Sequence, residues 1–160
     1  MITEMDFLIR LALACAFGFA IGFEREAKAK PLGVRAFMMI AMSSAAVIMV
    51  TLNFATGPIA SDKDLTVDPT RVMQALIGGI GFLGAGSIIS NSSSGRLRGV
   101  GSGAAIWAVG GIGIACGLGH LFEATVLAGA VFMTLTGFDV LARKNAAPDG
   151  SDNRDEDQSN

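Results

Sequence analysis

The stretch Gly78-Gly79-Ile80-Gly81-Phe82-Leu83-Gly84-Ala85-Gly86 places five glycines inside an apolar segment running from Val72 to Ile89. In water such a segment makes a poor helix, because each interior glycine costs about 1 kcal/mol relative to alanine. In a bilayer the same glycines acquire a use. Helices there associate by close backbone approach, and small residues three or four apart form the contact surface. The run therefore reads as the central packing helix of a membrane bundle.

The remainder of the chain agrees. Its 160 residues are 51% hydrophobic and 16% charged, with twenty-one glycines and no tyrosine, which fits a polytopic membrane protein better than a soluble domain. Segments long enough to cross a hydrocarbon core of about 30 Å lie near 7–23, 36–54, 72–90, 100–118 and 121–141. The expected fold is all-α: a polytopic bundle of about five transmembrane helices over residues 1–144, followed by an acidic tail, 145–160. Arg10, in the first turn of the first span, is expected to snorkel to the interface.

Charge gives the expected orientation. Arg25, Lys28, Lys30 and Arg35 follow the first span, Arg96 and Arg98 follow the third, and Arg143 and Lys144 follow the fifth. Basic connections favour the cytoplasm, so the N-terminus is placed outside and the C-terminus inside, as an odd number of spans requires. A cleaved leader is disfavoured, since Glu4 and Asp6 precede the apolar run with no cation before Arg10. The tail after Pro148 holds Asp149, Asp152, Asp155, Glu156 and Asp157 and reads as disordered rather than as a docking element. Asp62, Asp64 and Asp68 share the outer loop, where carboxylates suit Mg²⁺ but where a solvated loop is the plainer reading.

Several motifs dissolve on inspection. Gly79, Gly81 and Gly84 spell G-x-G-x-x-G, yet no strand precedes them and no carboxylate follows until Glu123, so a dinucleotide site is rejected. Cys15 and Cys116 have neither metal nor disulfide spacing and read as packing residues. No Ser–His–Asp set, acid pair or metal quartet is present, and lone His120 in a turn is no catalyst. The sequence thus points to a non-enzyme with no cofactor, no metal and no nucleic-acid partner.

Packing candidates are the five glycines Gly78, Gly79, Gly81, Gly84 and Gly86, with the pairs Gly18/Gly22, Gly99/Gly103 and Gly113/Gly117. They predict that the first, third and fourth helices pack together, while Met38, Met39, Met42 and Met49 of the second fill gaps. Ser102, Trp107 and Asp139 are candidates for a polar interior, with Asp139 one turn before Arg143. The informative charges are Glu24, Arg25, Glu26, Arg35 and Arg98 at the inner end. Glu24 ends a helix, where the dipole disfavours an anion, and so needs a cation; Arg35 or Arg98 could supply one. A structural ion-pair cluster, simple interfacial anchoring and a direct ligand site all remain open for this group.

Gly22-Phe23-Glu24-Arg25-Glu26, Gly33-Val34-Arg35, Gly79-Ile80-Gly81-Phe82-Leu83-Gly84-Ala85-Gly86 and Ala104-Ala105-Ile106-Trp107 together resemble the membrane domain of the MgtC/SapB family, over about residues 7–141. The resemblance implies a multi-pass protein of the bacterial inner membrane, linked to growth in low magnesium and to survival inside hosts. It further implies a regulator of another membrane complex, with the F-type ATP synthase or a transport system as target. Two departures matter. The family's Thr-His after the second-helix arginine is Ala36-Phe37 here, and its Gly-Leu-Thr-Thr-Ala-Ala run is Gly99-Val100-Gly101-Ser102-Gly103-Ala104-Ala105. Larger members also carry a cytoplasmic C-terminal domain, in whose place this chain has the acidic tail.

Two function classes follow. The first is an interaction protein, bound to the lipid bilayer, another membrane protein and in one variant a second copy of itself. The second is a Mg²⁺ or other cation transporter, which would need carboxylates or unwound helices near the midplane.

Overall fold

The computed structural model describes residues 2–30, 32–57, 68–89 and 99–145. They form five helices: α1 (Glu4–Ala27), α2 (Val34–Thr56), α3 (Pro69–Ile89), α4 (Val100–Leu118) and α5 (Leu121–Asn145). Four of them, α1 to α4, are long and apolar enough to cross a membrane, and α5 is apolar from Leu121 to Gly137. The all-helical polytopic fold expected from the sequence is the fold observed.

Local chemistry sets the helix ends. Thr3 opens α1, its hydroxyl accepting from the Asp6 amide at 3.2 Å, and Glu4 and Asp6 place negative charge in the first turn, where the dipole favours it. Asp68 opens α3 by accepting from the Thr70 amide at 2.9 Å, and Pro69 follows at the one helical position where a missing N–H costs nothing. Two glycines in left-handed backbone bound α4: Gly99 at φ 93° and Gly119 at φ 86°. At the second of these the His120 amide reaches back to the Ala115 carbonyl at 3.0 Å, a Schellman-type stop.

The centre of the bundle is α4, not α3. Of the most apolar stretch of each, 61% is buried in α4 and 17% in α3. Helix α4 packs against all four others, and α1 lies along α2 in the most extensive pairing of the fold. The core gathers Ala14 and Ile21 of α1, Phe37 and Ala41 of α2, and Val109 and Ile112 of α4.

The expected packing of the first and third helices on the fourth is found, but α2, left out of that cluster, makes the larger contacts. Gly18 and Gly22 of α1 do make close contacts, but with α2. A Cβ on Gly18 would sit 2.8 Å from the Phe37 carbonyl, and one on Gly22 would sit 2.8 Å from the Val34 Cα. Gly117 of α4 likewise admits α2, a Cβ there falling 2.7 Å from the Ala45 carbonyl; Gly113 meets the Ala41 carbonyl in the same way. Helix α2, read as a methionine gap-filler, is the surface onto which two glycine ridges close. With hydrocarbon on both sides of the balance, this close van der Waals fit is what holds membrane helices together.

Helix α3 joins the body mainly through its crossing with α4 and more lightly along α2. Gly84 and Gly103 meet backbone to backbone, with a Cβ on Gly103 falling 2.8 Å from the Gly84 carbonyl. Gly99 does not form a packing pair with Gly103; it caps α4, against the Ser87 carbonyl of α3. Around Gly78, Gly79, Gly81 and Gly86 a Cβ would meet nothing within 4 Å. Four of the five glycines expected to make the central contact thus face open space.

Candidate functional site

The charged residues at the α1–α2 turn form the one buried ionic group among the described residues. Glu24 and Arg25 are 7% and 5% exposed. Arg25 grips Glu24 with a two-pronged contact, Nε donating to Oε2 at 2.7 Å and Nη2 to Oε1 at 3.1 Å. Lys28, one helical turn on, pairs with Glu24 from the other side. The Lys28 ammonium also donates to the Leu135 carbonyl of α5 at 2.9 Å, tying the end of α1 to α5.

This arrangement answers why an anion can sit where the α1 dipole opposes it. Two cations flank Glu24 and offset the unfavourable end of the dipole. Of the two cations expected as partners, Arg35 does not pair with Glu24. Arg35 is exposed, and Arg98 lies outside the described residues, as do Asp62 and Asp64. The Lys28 pairing was available from its i,i+4 spacing. The Arg25 contact was not, because residues one apart on a helix do not normally face each other.

Glu26 proves to be a cap. Its Oε2 accepts from the Val34 amide at 2.8 Å and so closes the start of α2, whose N-cap residue, Gly33, has no side chain to offer. A Cβ on Gly33 would come within 3.0 Å of the same carboxylate oxygen, so Glu26 and Gly33 are matched.

At the opposite end Arg10 turns inward instead of snorkelling. Its Nη1 donates to the Gly117 carbonyl at 3.0 Å, placing a cation at the negative end of α4. Gly119 packs against this guanidinium so closely that a Cβ would lie 2.8 Å from Nη2. Nearby, Asn53 Oδ1 accepts from the Ile2 amide at 2.7 Å. Gly119 was not singled out from sequence, although Gly-Leu-Gly-His is a recognisable helix stop with an orphan carbonyl to satisfy.

The polar-interior candidates separate. Ser102 is buried, whereas Trp107 is 55% exposed on the outer side of α4, beside Ile77 and Ile80 of α3. Its indole therefore lies on the rim and not in an interior polar site. The Asp139 side chain is outside the described part of the structure. Ser87, missed in the sequence, is buried at the α3–α4 crossing and donates to the Gly84 carbonyl at 2.7 Å. Among the described residues no three of His, Cys, Asp and Glu gather closely enough to hold a metal ion.

Comparison with known proteins places this architecture. An uncharacterized protein of Haemophilus influenzae is 38% identical over 117 residues, 73% of this chain and 49% of its own length. Protein SapB of Bacillus subtilis is 37% identical over 121 residues, 76% of this chain and 51% of its own length. Protein MgtC of Salmonella typhimurium is 31% identical, covering 74% of this chain and 46% of its own length. The chain spans about half the length of these relatives. No solved structure matches it. The family model described as the MgtC family matches residues 11–144, which include part or all of each helix described above, and the chain belongs to that family.

Proposed function

We propose that this protein is a non-enzymatic modulator of the bacterial inner membrane, binding another membrane complex during adaptation to low magnesium. An F-type ATP synthase or a transport system is the class of target. The observation that carries this reading is the state of Glu24. It is the only buried carboxylate among the described residues, and Arg25 and Lys28 both engage it. A carboxylate whose two oxygens are already engaged by two cations has little attraction left for a mobile one. The sequence has no Asp or Glu from Ala27 to Ser61 or from Pro69 to Leu118, so α2, α3 and α4 offer no acidic stepping stone at mid-membrane.

The surface available for a partner is on α3. Gly78, Gly81 and Ala85 fall at helical spacings of three and four, and a Cβ at either glycine would touch nothing. Small residues in that pattern let a second helix approach closely. The basic ends of α1 and α2 are placed on the cytoplasmic side, with the N-terminus outside. A second copy of the chain is an alternative occupant of the same ridge.

The test is Mg²⁺ uptake into proteoliposomes holding the purified, folded chain under an inside-negative potential. Uptake equal to that of empty vesicles is expected. Uptake above that level, removed by Glu24→Gln, would make the protein a cation transporter and end the modulator reading.

A further inference from the structure

Two of the open glycines on α3, Gly79 and Gly86, do not belong to the outward ridge. They stand seven apart on the side of α3 that faces α2, where the two helices diverge and leave a groove. One part of it, about 520 Å³, runs from Leu32 and Ala36 to Gly86. A second, about 390 Å³, continues to Ser44 and shares Met39, Ile40 and Leu83 with the first. Its outer rim is open: Met39 is 59% and Leu83 53% exposed. The walls are almost wholly apolar, and the Ser87 hydroxyl among them is directed to the Gly84 carbonyl.

We propose that this groove seats one acyl chain of an anionic phospholipid, with Arg35 holding the phosphate at its mouth. Length favours a lipid tail over a helix. From Ala36 to Ser44 the groove follows about 12 Å of helix axis, close to the roughly 15 Å of hydrocarbon in one leaflet. A partner helix would need a track through the full thickness. Charge completes the match. Arg35 lies one turn before Met39 on the same face of α2, is exposed, and forms no ion pair with a described residue. Glu26, the acid nearest to it along the turn, is held by the Val34 amide. An exposed guanidinium at the headgroup end of an apolar slot is complementary to a phosphodiester with a tail, and basic sites between membrane helices take anionic headgroups in this way.

The experiment is native mass spectrometry of the full chain in detergent, titrated with dioleoyl-phosphatidylglycerol and with dioleoyl-phosphatidylcholine, which share the same tails. One tightly held phosphatidylglycerol is expected, retained at least fivefold better than phosphatidylcholine. Arg35→Gln should bring the two lipids level. Gly86→Phe, which grows into the groove from a position where no atom lies within 4 Å, should remove the bound lipid. Ala36→Trp repeats the block from the α2 wall, should either variant fail to fold. Equal retention of the two lipids by the parent chain would overturn the proposal. So would phosphatidylglycerol binding that survives both groove-filling variants, or a dimer that those variants dissolve while no lipid is found.

Discussion

Helices α3 and α4 are both rich in glycine, yet most glycines of α3 lie open while in α4 only Gly101 has nothing within reach of a Cβ. In α4, Gly103, Gly113 and Gly117 press against backbone atoms of α3 and α2, and a methyl group at any of them would collide. In α3 only Gly84 makes such a contact, while Gly78, Gly79, Gly81 and Gly86 look onto empty space. The same residue type is thus a closed joint in one helix and an open surface in the other. Glycine spacing states that a close approach is possible; it does not state that the partner is already present.

This contrast can be broken by substitution. The largest effect is expected at the ionic group that ties the end of α1 to α5. Glu24→Ala strands the Arg25 guanidinium in a buried site and should cost about 3–5 kcal/mol, read as a large fall in melting temperature in detergent. Next come Gly113→Ala and Gly117→Ala, each expected to cost about 1–3 kcal/mol by overpacking against α2. Gly78→Ala and Gly81→Ala on α3 should leave the melting temperature unchanged or raise it, since alanine is the better helix former and has room. Equal losses on both helices would dissolve the distinction between them.

Arg10→Ala should cost about 1–2 kcal/mol, because it uncaps α4 and withdraws a cation from its negative end. Arg10→Lys should recover part of that loss. The smallest effect belongs to the start of α3. The Thr70 hydroxyl and amide, which donate to Asp68, hold its carboxyl below the ordinary range. A folded-state pKa below the unfolded one means that the cap contributes fully above the unfolded pKa and is lost as pH falls through the folded one. A slight acid-side drop in melting temperature is expected, and Asp68→Asn, which keeps a capping oxygen, should flatten it. A drop undiminished by that change would remove Asp68 as its cause.

The elements were legible because hydropathy sums over some twenty residues, and a single glycine or charge does not alter the total. Partner choice was not legible in the same way. The run from Gly78 to Gly86 is denser in glycine than any part of α4, and density suggested centrality. A better signal lay in α4, where Gly103, Gly110, Gly113 and Gly117 recur by sevens, threes and fours along one face for the whole helix. In α3 the glycines are divided among three directions, Gly84 toward α4, Gly79 and Gly86 toward α2, and Gly78 and Gly81 outward. The charged end was found but wired wrongly. Glu24 needed a cation, as its place at a helix C-terminus implied, and took Arg25 and Lys28 from its own helix in preference to Arg35. Glu26 was read as one of the inner charges and Arg10 as a snorkelling residue, whereas each satisfies the end of another helix, which hydropathy and charge counting do not register.

The central claim is that α3 carries an outward surface for another protein while α4 is sealed. It is tested most directly by photocrosslinking in intact bacterial membranes, with a photoreactive amino acid placed at Ala85 of α3 or, as the buried control, at Ile112 of α4. Protein-sized adducts from position 85 and none from position 112 are predicted, with Gly81→Leu removing the former while leaving the melting temperature intact. Position 85 yielding only lipid adducts, with Gly81→Leu of no consequence, would contradict the account.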